Sequence, residues 1–431
     1  MDLIKPDSAG LIYPYVKTDT RNAVFRIEAD LKEEVDFEIL TRAVEDLARR
    51  FPTFFVNLVR QDELFMLAPA KKSAVVVDEP DNVCTAFDFE NEVPMRVAVY
   101  GSRIAVETFH MLADGHGALI FMKTLLVHYF NLKGAAIEYD DEILDPKDEP
   151  TQQEISDAFL SVYRFGKKKV NRFGLFAYQY RLKDKPRNIT LTVLRTPSDE
   201  LRALAKRYNT TIGVFLTAVY IYSFYLLKKR KSRGKIKISI PVDLRSFFPS
   251  KTVRNFSLYT IVGIDPAKRE WTLDSIIEAI TEQMKKQLKK EDFTDMVYTN
   301  VLSANTLFFN HLPMPMKKLI LRFAFDYLGE RLFTSTLSNM GSVILPDKLR
   351  EHIADFRLFL GEAMLHQVNV VTSAYGGFAN IIFSSRIEND DLQKTYMSIL
   401  CENGLSVERY DRTPGNKDYD HTANKGDYSR N

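Results

Sequence analysis

The sequence predicts an α+β fold in two halves, and three observations support this. Val97 to Phe109 and Gln367 to Ser384 each alternate in character around a turn, Gly101-Ser102 and Tyr375-Gly376-Gly377, which is the pattern of antiparallel hairpins. Helical stretches fall among these strands without the regular strand–helix–strand alternation of a parallel sheet. The chain has 431 residues, 45% of them hydrophobic and 12% aromatic, enough to bury a sizeable core in two or three domains.

Residues 22–29 read as the first strand, with Ala23, Phe25 and Ile27 on one face and Val24, Arg26 and Glu28 on the other. Asp36 is placed to cap a helix whose buried stripe is Phe37, Leu40, Val44 and Leu47, with Val35 and Leu40 as a hydrophobic staple. Strands follow at 54–67, then the first hairpin. From Ala118 to Phe130, Leu119, Met122, Leu125, Leu126 and Tyr129 recur at helical spacing. Asn131 to Gln153 is rich in Asp, Glu and Pro and reads as an exposed linker.

The second half opens with a strand at 189–194. Thr196-Pro197-Ser198-Asp199 then has the spacing of a capping box with proline at the first helical position. Thr210 to Leu227 carries no charge. Its hydroxyl groups, Gly213 and short length favour a buried helix over a membrane span, so no transmembrane segment is expected. A short strand at 236–240, helices at 273–290 and 313–328, and the last hairpin complete this half. The halves, 1–180 and 181–410, follow a similar order of elements. Asp411 to Asn431 has almost no aliphatic side chains and is expected to be a disordered tail.

The formal charge of +2 gives no ground for nucleic-acid binding. Cys84 and Cys401 are far apart in sequence, which argues against a disulfide framework and for a reducing compartment. Met1 to Asp7 lacks the basic flank and apolar run of a signal peptide, so a cytoplasmic location is expected. There is no GxSxG elbow, P-loop, dinucleotide fingerprint or zinc spacing.

The chemistry concentrates at Phe109-His110-Met111-Leu112-Ala113-Asp114-Gly115, where a strand gives way to an apolar helix. A histidine at a strand end is rigidly aimed, and neutral imidazole, titrating near ~6.5, accepts a proton from an alcohol or amine. Asp114 is placed to cap the helix, and Gly115 to ease the turn into it. His116 lies near His110 and Asp114, but no third ligand cluster accompanies them and no metal site is expected.

His-x-x-x-Asp-Gly after a strand resembles the signature of the CoA-dependent acyltransferase superfamily. That group takes in chloramphenicol acetyltransferase, the plant BAHD enzymes, wax ester synthases, bacterial alcohol acetyltransferases and condensation domains. Pro241-Val242-Asp243-Leu244-Arg245 with Arg254-Asn255-Phe256 is similar to a second element, and Ser338-Asn339-Met340-Gly341 to a third. The resemblance runs from about residue 10 to residue 405 and is closest to the alcohol acetyltransferase-like proteins. It implies two chloramphenicol-acetyltransferase-like lobes with the active site in a tunnel between them. It also implies His110 as general base and Asp114 paired with Arg245 in a structural role. Ser338 and Asn339 would line the tunnel or oxyanion region, an ordinary turn being the other reading of that segment.

One residue departs from the pattern: Phe109 replaces the first of the two adjacent histidines usual in condensation domains and wax synthases, the one that serves structure. The implied activity is acyl transfer from an acyl thioester to an alcohol or amine. Acyl-CoA is the co-substrate, an acyl-carrier protein the alternative donor, and no bound cofactor is needed. A stand-alone condensation enzyme and a non-catalytic condensation-like binding protein are the rivals. Two basic runs, Arg164 to Arg172 and Lys228 to Lys237, read as a solvated loop and a helix end. They also suit nucleotide phosphates or an acidic carrier, and Tyr163, Phe165, Phe173 and Phe176 suit peripheral contact with a membrane.

Overall fold

The computed structural model describes residues 3–18, 22–70, 75–166, 168, 170, 176–180, 188–228, 234–304, 312–361 and 366–421. The first half runs α1 (Tyr13–Val16), β1 (Val24–Leu31), α2 (Phe37–Leu47), β2 (Val56–Gln61), β3 (Leu64–Pro69), β4 (Val76–Asp78), β5 (Met95–Tyr100), β6 (Arg103–Phe109), α3 (Gly115–Leu132), α4 (Gln152–Ile155) and α5 (Phe159–Tyr163). Next come β7 (Thr190–Pro197), α6 (Ser198–Arg207), α7 (Ile212–Leu227), β8 (Ile236–Asp243), β9 (Ser257–Ile264), α8 (Leu273–Gln287), α9 (Lys290–Ala304) and α10 (Met314–Leu328). The chain closes with β10 (Ser335–Ser342), α11 (Asp347–Arg350), β11 (Ile353–Leu360), β12 (Val368–Tyr375), β13 (Phe378–Ser385), α12 (Asp391–Glu402), β14 (Glu408–Arg412) and β15 (Asp420–His421).

Among the described residues the strands form three sheets, ordered β11-β1-β6-β5-β4, β15-β14-β7-β13-β12-β10-β8-β9 and β2-β3. Both predicted hairpins are present, β5 with β6 and β12 with β13. Asp36 caps α2 as expected, its side chain accepting from the Ile39 N–H. The capping box at Thr196 does not form. Thr196 is a buried strand residue opposite Ala379, and Pro197 itself sits at the start of α6.

α3 and α7 are the central helices of the two cores, buried on nearly every face rather than along one stripe. Two hydroxyls of α7 are satisfied within the helix, Thr217 and Ser223 donating to the carbonyls of Gly213 and Val219, while the Tyr220 hydroxyl bonds Ser335. No single described helix is long and apolar enough to cross a membrane.

Two features cut across the expected division of the chain. β11, from the second half, pairs antiparallel with β1 and extends the first sheet, so the 180/181 boundary does not separate the sheets. Residues 411–421 are ordered, not a free tail: β14 pairs with β7, and β15 with β14. Residues 422–431 lie outside the described residues.

What holds 411–421 down is charge rather than hydrocarbon. Arg26 is fully buried on β1 and bonded to Glu28, Glu79 and Glu107. Arg412 reaches Glu79, and the Tyr419 hydroxyl donates to Glu28, which also pairs with Arg357. The polar face of β1 is thus as buried as the apolar one.

Candidate active site

His110 follows the last residue of β6, and its backbone N–H donates to the Ala23 carbonyl at 2.9 Å, extending the β1–β6 ladder by one rung. Its half-buried ring stacks on Tyr13 (centroids 4.9 Å apart, 18° between planes) and meets the edge of Phe25 at 5.3 Å. Burial pulls its pKa below the ordinary histidine value, so the imidazole is neutral at pH 7. The neighbouring Phe109 turns into the first core, packing on Phe89.

The Nδ1 of His110 lies 3.0 Å from Asn255 Oδ1. The Asn255 amide cannot be reversed, because its Nδ2 faces two groups that only accept, Asp7 Oδ2 at 3.0 Å and the Met111 carbonyl at 3.3 Å. Nδ1 therefore carries the proton, and Nε2 keeps a lone pair. Asp7 is itself fully buried. It accepts from the N–H groups of Ala9, Gly10 and Asn255, with the Arg254 guanidinium at 3.7 Å. Burial raises its carboxyl to about 6 against the pull of Arg254.

Asp114 fills both roles read from the sequence. It caps α3 through the Gly117 N–H (3.0 Å) and pairs with Arg245 across the halves (Nη1 to Oδ2, 2.9 Å). It also accepts from the Phe256 N–H at 2.8 Å. Burial alone would raise this carboxyl, but Arg245 and the two backbone N–H groups outweigh that and hold it below the usual range. Arg245 spends its other donors on Asp243 and on the carbonyls of Thr252 and Arg254.

Gly115 lacks the positive φ of a strained turn; a Cβ there would lie 2.8 Å from Met340 Cε, the flexible end of a side chain that can move aside. Gly117 is more constrained, since a Cβ would overlap the Val253 carbonyl. The Met340 contact brings the Ser338–Gly341 segment to the start of α3. This segment is the end of a strand, β10, with Gly341 at φ +68° inside the register shift that interrupts its pairing with β12 between Asn339 and Ser342. The Asn339 side-chain oxygen is occupied by the Gly341 N–H and the Thr372 hydroxyl, and Ser338 is buried beside Met340.

His116 pairs with Asp243 (3.5 Å), and no group of three metal-ligating side chains occurs among the described residues. Lys167, Lys169, Arg172 and Phe173 of the first basic run, and residues 229–233 of the second, lie outside the described residues. Two cavities of about 470 and 480 Å³ open beside Tyr208 and Tyr222 and along β8 and β9; His110 lines neither.

Tyr13 and Asp7 escaped the sequence reading, and Asn255 stood in a motif without a role. Asp7 is separated from Asn255 by 248 residues. No local pattern could have joined them.

No protein-family profile matches the chain. No curated protein matches it either. Solved structures do match along nearly its whole length. It is similar to polyketide synthase associated protein 5 from Mycobacterium tuberculosis (15% identity, TM-score 0.63, covering 93% of this chain and 97% of that one). It is also similar to trichothecene 15-O-acetyltransferase from Fusarium sporotrichioides (12%, 0.61, 92% and 93%). A third is the first condensation domain of the calcium-dependent antibiotic synthetase (13%, 0.59, 94% and 99%). The chain therefore has the two-lobed, chloramphenicol-acetyltransferase-like fold common to condensation domains and this acetyltransferase.

Proposed function

We propose that this protein is an acyltransferase in which His110 is the general base. The observation that carries the proposal is the single tautomer imposed on His110: Nδ1 is held by Asn255, which leaves Nε2 as the proton acceptor. An acceptor hydroxyl or amine gives its proton to Nε2 as its oxygen or nitrogen bonds to the thioester carbonyl carbon. The tetrahedral intermediate then collapses with cleavage of the C–S bond, and the imidazolium returns its proton to the departing thiolate. No covalent enzyme intermediate is required. Asp114 takes no part in proton transfer, because its oxygens are committed to Arg245, Gly117 and Phe256.

The donor is an acyl-CoA in this reading, with substrates meeting in a tunnel between the lobes and Ser338 and Asn339 at its wall. Release of thiol over a panel of acyl-CoAs and alcohol or amine acceptors tests it. His110→Ala is expected to cut turnover roughly 10²–10⁴-fold with the fold retained. A folded variant with full turnover refutes the assignment of the base. Activity confined to carrier-bound thioesters moves the donor to a carrier protein.

A further inference from the structure

We infer that Asp7 and Asn255 are positioning residues, a buried carboxylate–amide relay that locks His110 in the Nδ1–H tautomer. The inference deepens the proposed role of His110 and rests on it for its kinetic consequence, though not for its structural one.

Each link is directional. The backbone N–H groups of Ala9 and Gly10 (3.1 and 2.6 Å) point at Oδ1 of Asp7 and cannot turn away. The other oxygen, Oδ2, takes Asn255 Nδ2 at 3.0 Å and the Asn255 N–H at 3.3 Å. With its amino group drawn to Asp7 and to the Met111 carbonyl, Asn255 has only its oxygen left for His110. Ring stacking on Tyr13 holds the imidazole plane but is indifferent to which nitrogen bears the proton. The choice of nitrogen comes from two acceptors, the residue's own backbone carbonyl and the Asn255 oxygen, and Asp7 fixes the second of these.

Asp7→Asn separates this role from simple packing. The substitution keeps shape and volume, but the new amide must turn its oxygen to Ala9 and Gly10. Its amino group then sets donor against donor at Asn255 Nδ2, a conflict that Asn255 relieves only by reversing its amide, which offers Nδ2 to His110 Nδ1 at the expense of the Met111 carbonyl contact. The hold on the Nδ1–H form is weakened, and the Nε2–H form, which cannot accept a proton where the base is needed, gains population.

The test uses the full-length chain with ¹⁵N-labelled histidine. Two-bond ¹H–¹⁵N spectra near pH 7.5 report the tautomer, and the His110 signal is identified by its loss in His110→Ala among the seven histidines. The expected result is Nδ1–H in the wild type and a shift toward Nε2–H in Asp7→Asn. With it, kcat is expected to fall roughly 10²-fold or more while KM changes little. If Asp7→Asn does not fold, Asn255→Ala serves instead and is expected to give a mixture of tautomers.

An Nε2–H wild type overturns the relay, as does a folded variant that keeps both tautomer and rate. A wild type locked as Nδ1–H that transfers no acyl group from any thioester leaves the relay standing and removes the acyltransferase reading alone.

Discussion

Replacing Asp114 by alanine removes four contacts at once, and the structure gives each a scale. The α3 cap through Gly117 contributes about 1 kcal/mol. The Phe256 N–H, buried and left without its acceptor, costs ~1–3 kcal/mol. Arg245 loses two of its bonds, at 2.9 and 3.4 Å, but keeps Asp243 and two backbone carbonyls, so its charge is only partly uncompensated. The sum is about 3–5 kcal/mol, the usual cost of breaking a buried ion pair by removing one partner, and a large share of a domain's ~5–15 kcal/mol. The assay is urea unfolding followed by circular dichroism, with Arg245→Ala and the double variant completing a cycle. The two single changes are expected to be strongly non-additive, since each exposes the same broken pair. An Asp114→Ala protein within about 1 kcal/mol of the wild type at an unchanged m-value would show that the pair does not hold the halves together, and would refute this reasoning.

Asp7 supplies a pH signature. Burial has raised its pKa from 3.8 to about 6, with Arg254 opposing, Asp157 reinforcing, and Gly10 and Asn255 donating to it. A carboxyl raised in the folded state contributes stability that is present below about pH 4 and lost as pH rises through 6, here about 3 kcal/mol. The stability difference between Asp7→Asn and the wild type is therefore expected to move by about 2 kcal/mol in the variant's favour from pH 4 to 7.5; a flat difference means that Asp7 titrates normally. Removal of residues 408–431 is expected to lower the urea midpoint markedly. It strips β14 from β7 and leaves Glu79 and Glu28 without Arg412 and Tyr419, and breaking one such buried pair costs about 3–5 kcal/mol. Arg412→Ala alone should reproduce part of that loss, and an unchanged midpoint in both would show that the segment does not stabilise the sheet.

What the sequence determined by itself is whatever local periodicity and capping encode. The hairpin into His110, the Asp36 cap and the buried, charge-free α7 were all legible, because each depends on side chains a few residues apart. The pairing of Asp114 with Arg245 was legible only through family resemblance, and the structure places the two groups 2.9 Å apart. Only the tertiary structure decided the rest. β11 has no counterpart among the predicted strands, and nothing local says that it belongs beside β1 in the first sheet. Residues 411–421 were read as free because they carry little hydrocarbon, whereas they cover a buried network of arginines and carboxylates, to which hydropathy is blind. The Asp7–Asn255–His110 chain joins three distant segments through hydrogen bonds whose direction matters. Periodicity reports which side chains are buried, but only the folded backbone decides which buried donor faces which acceptor.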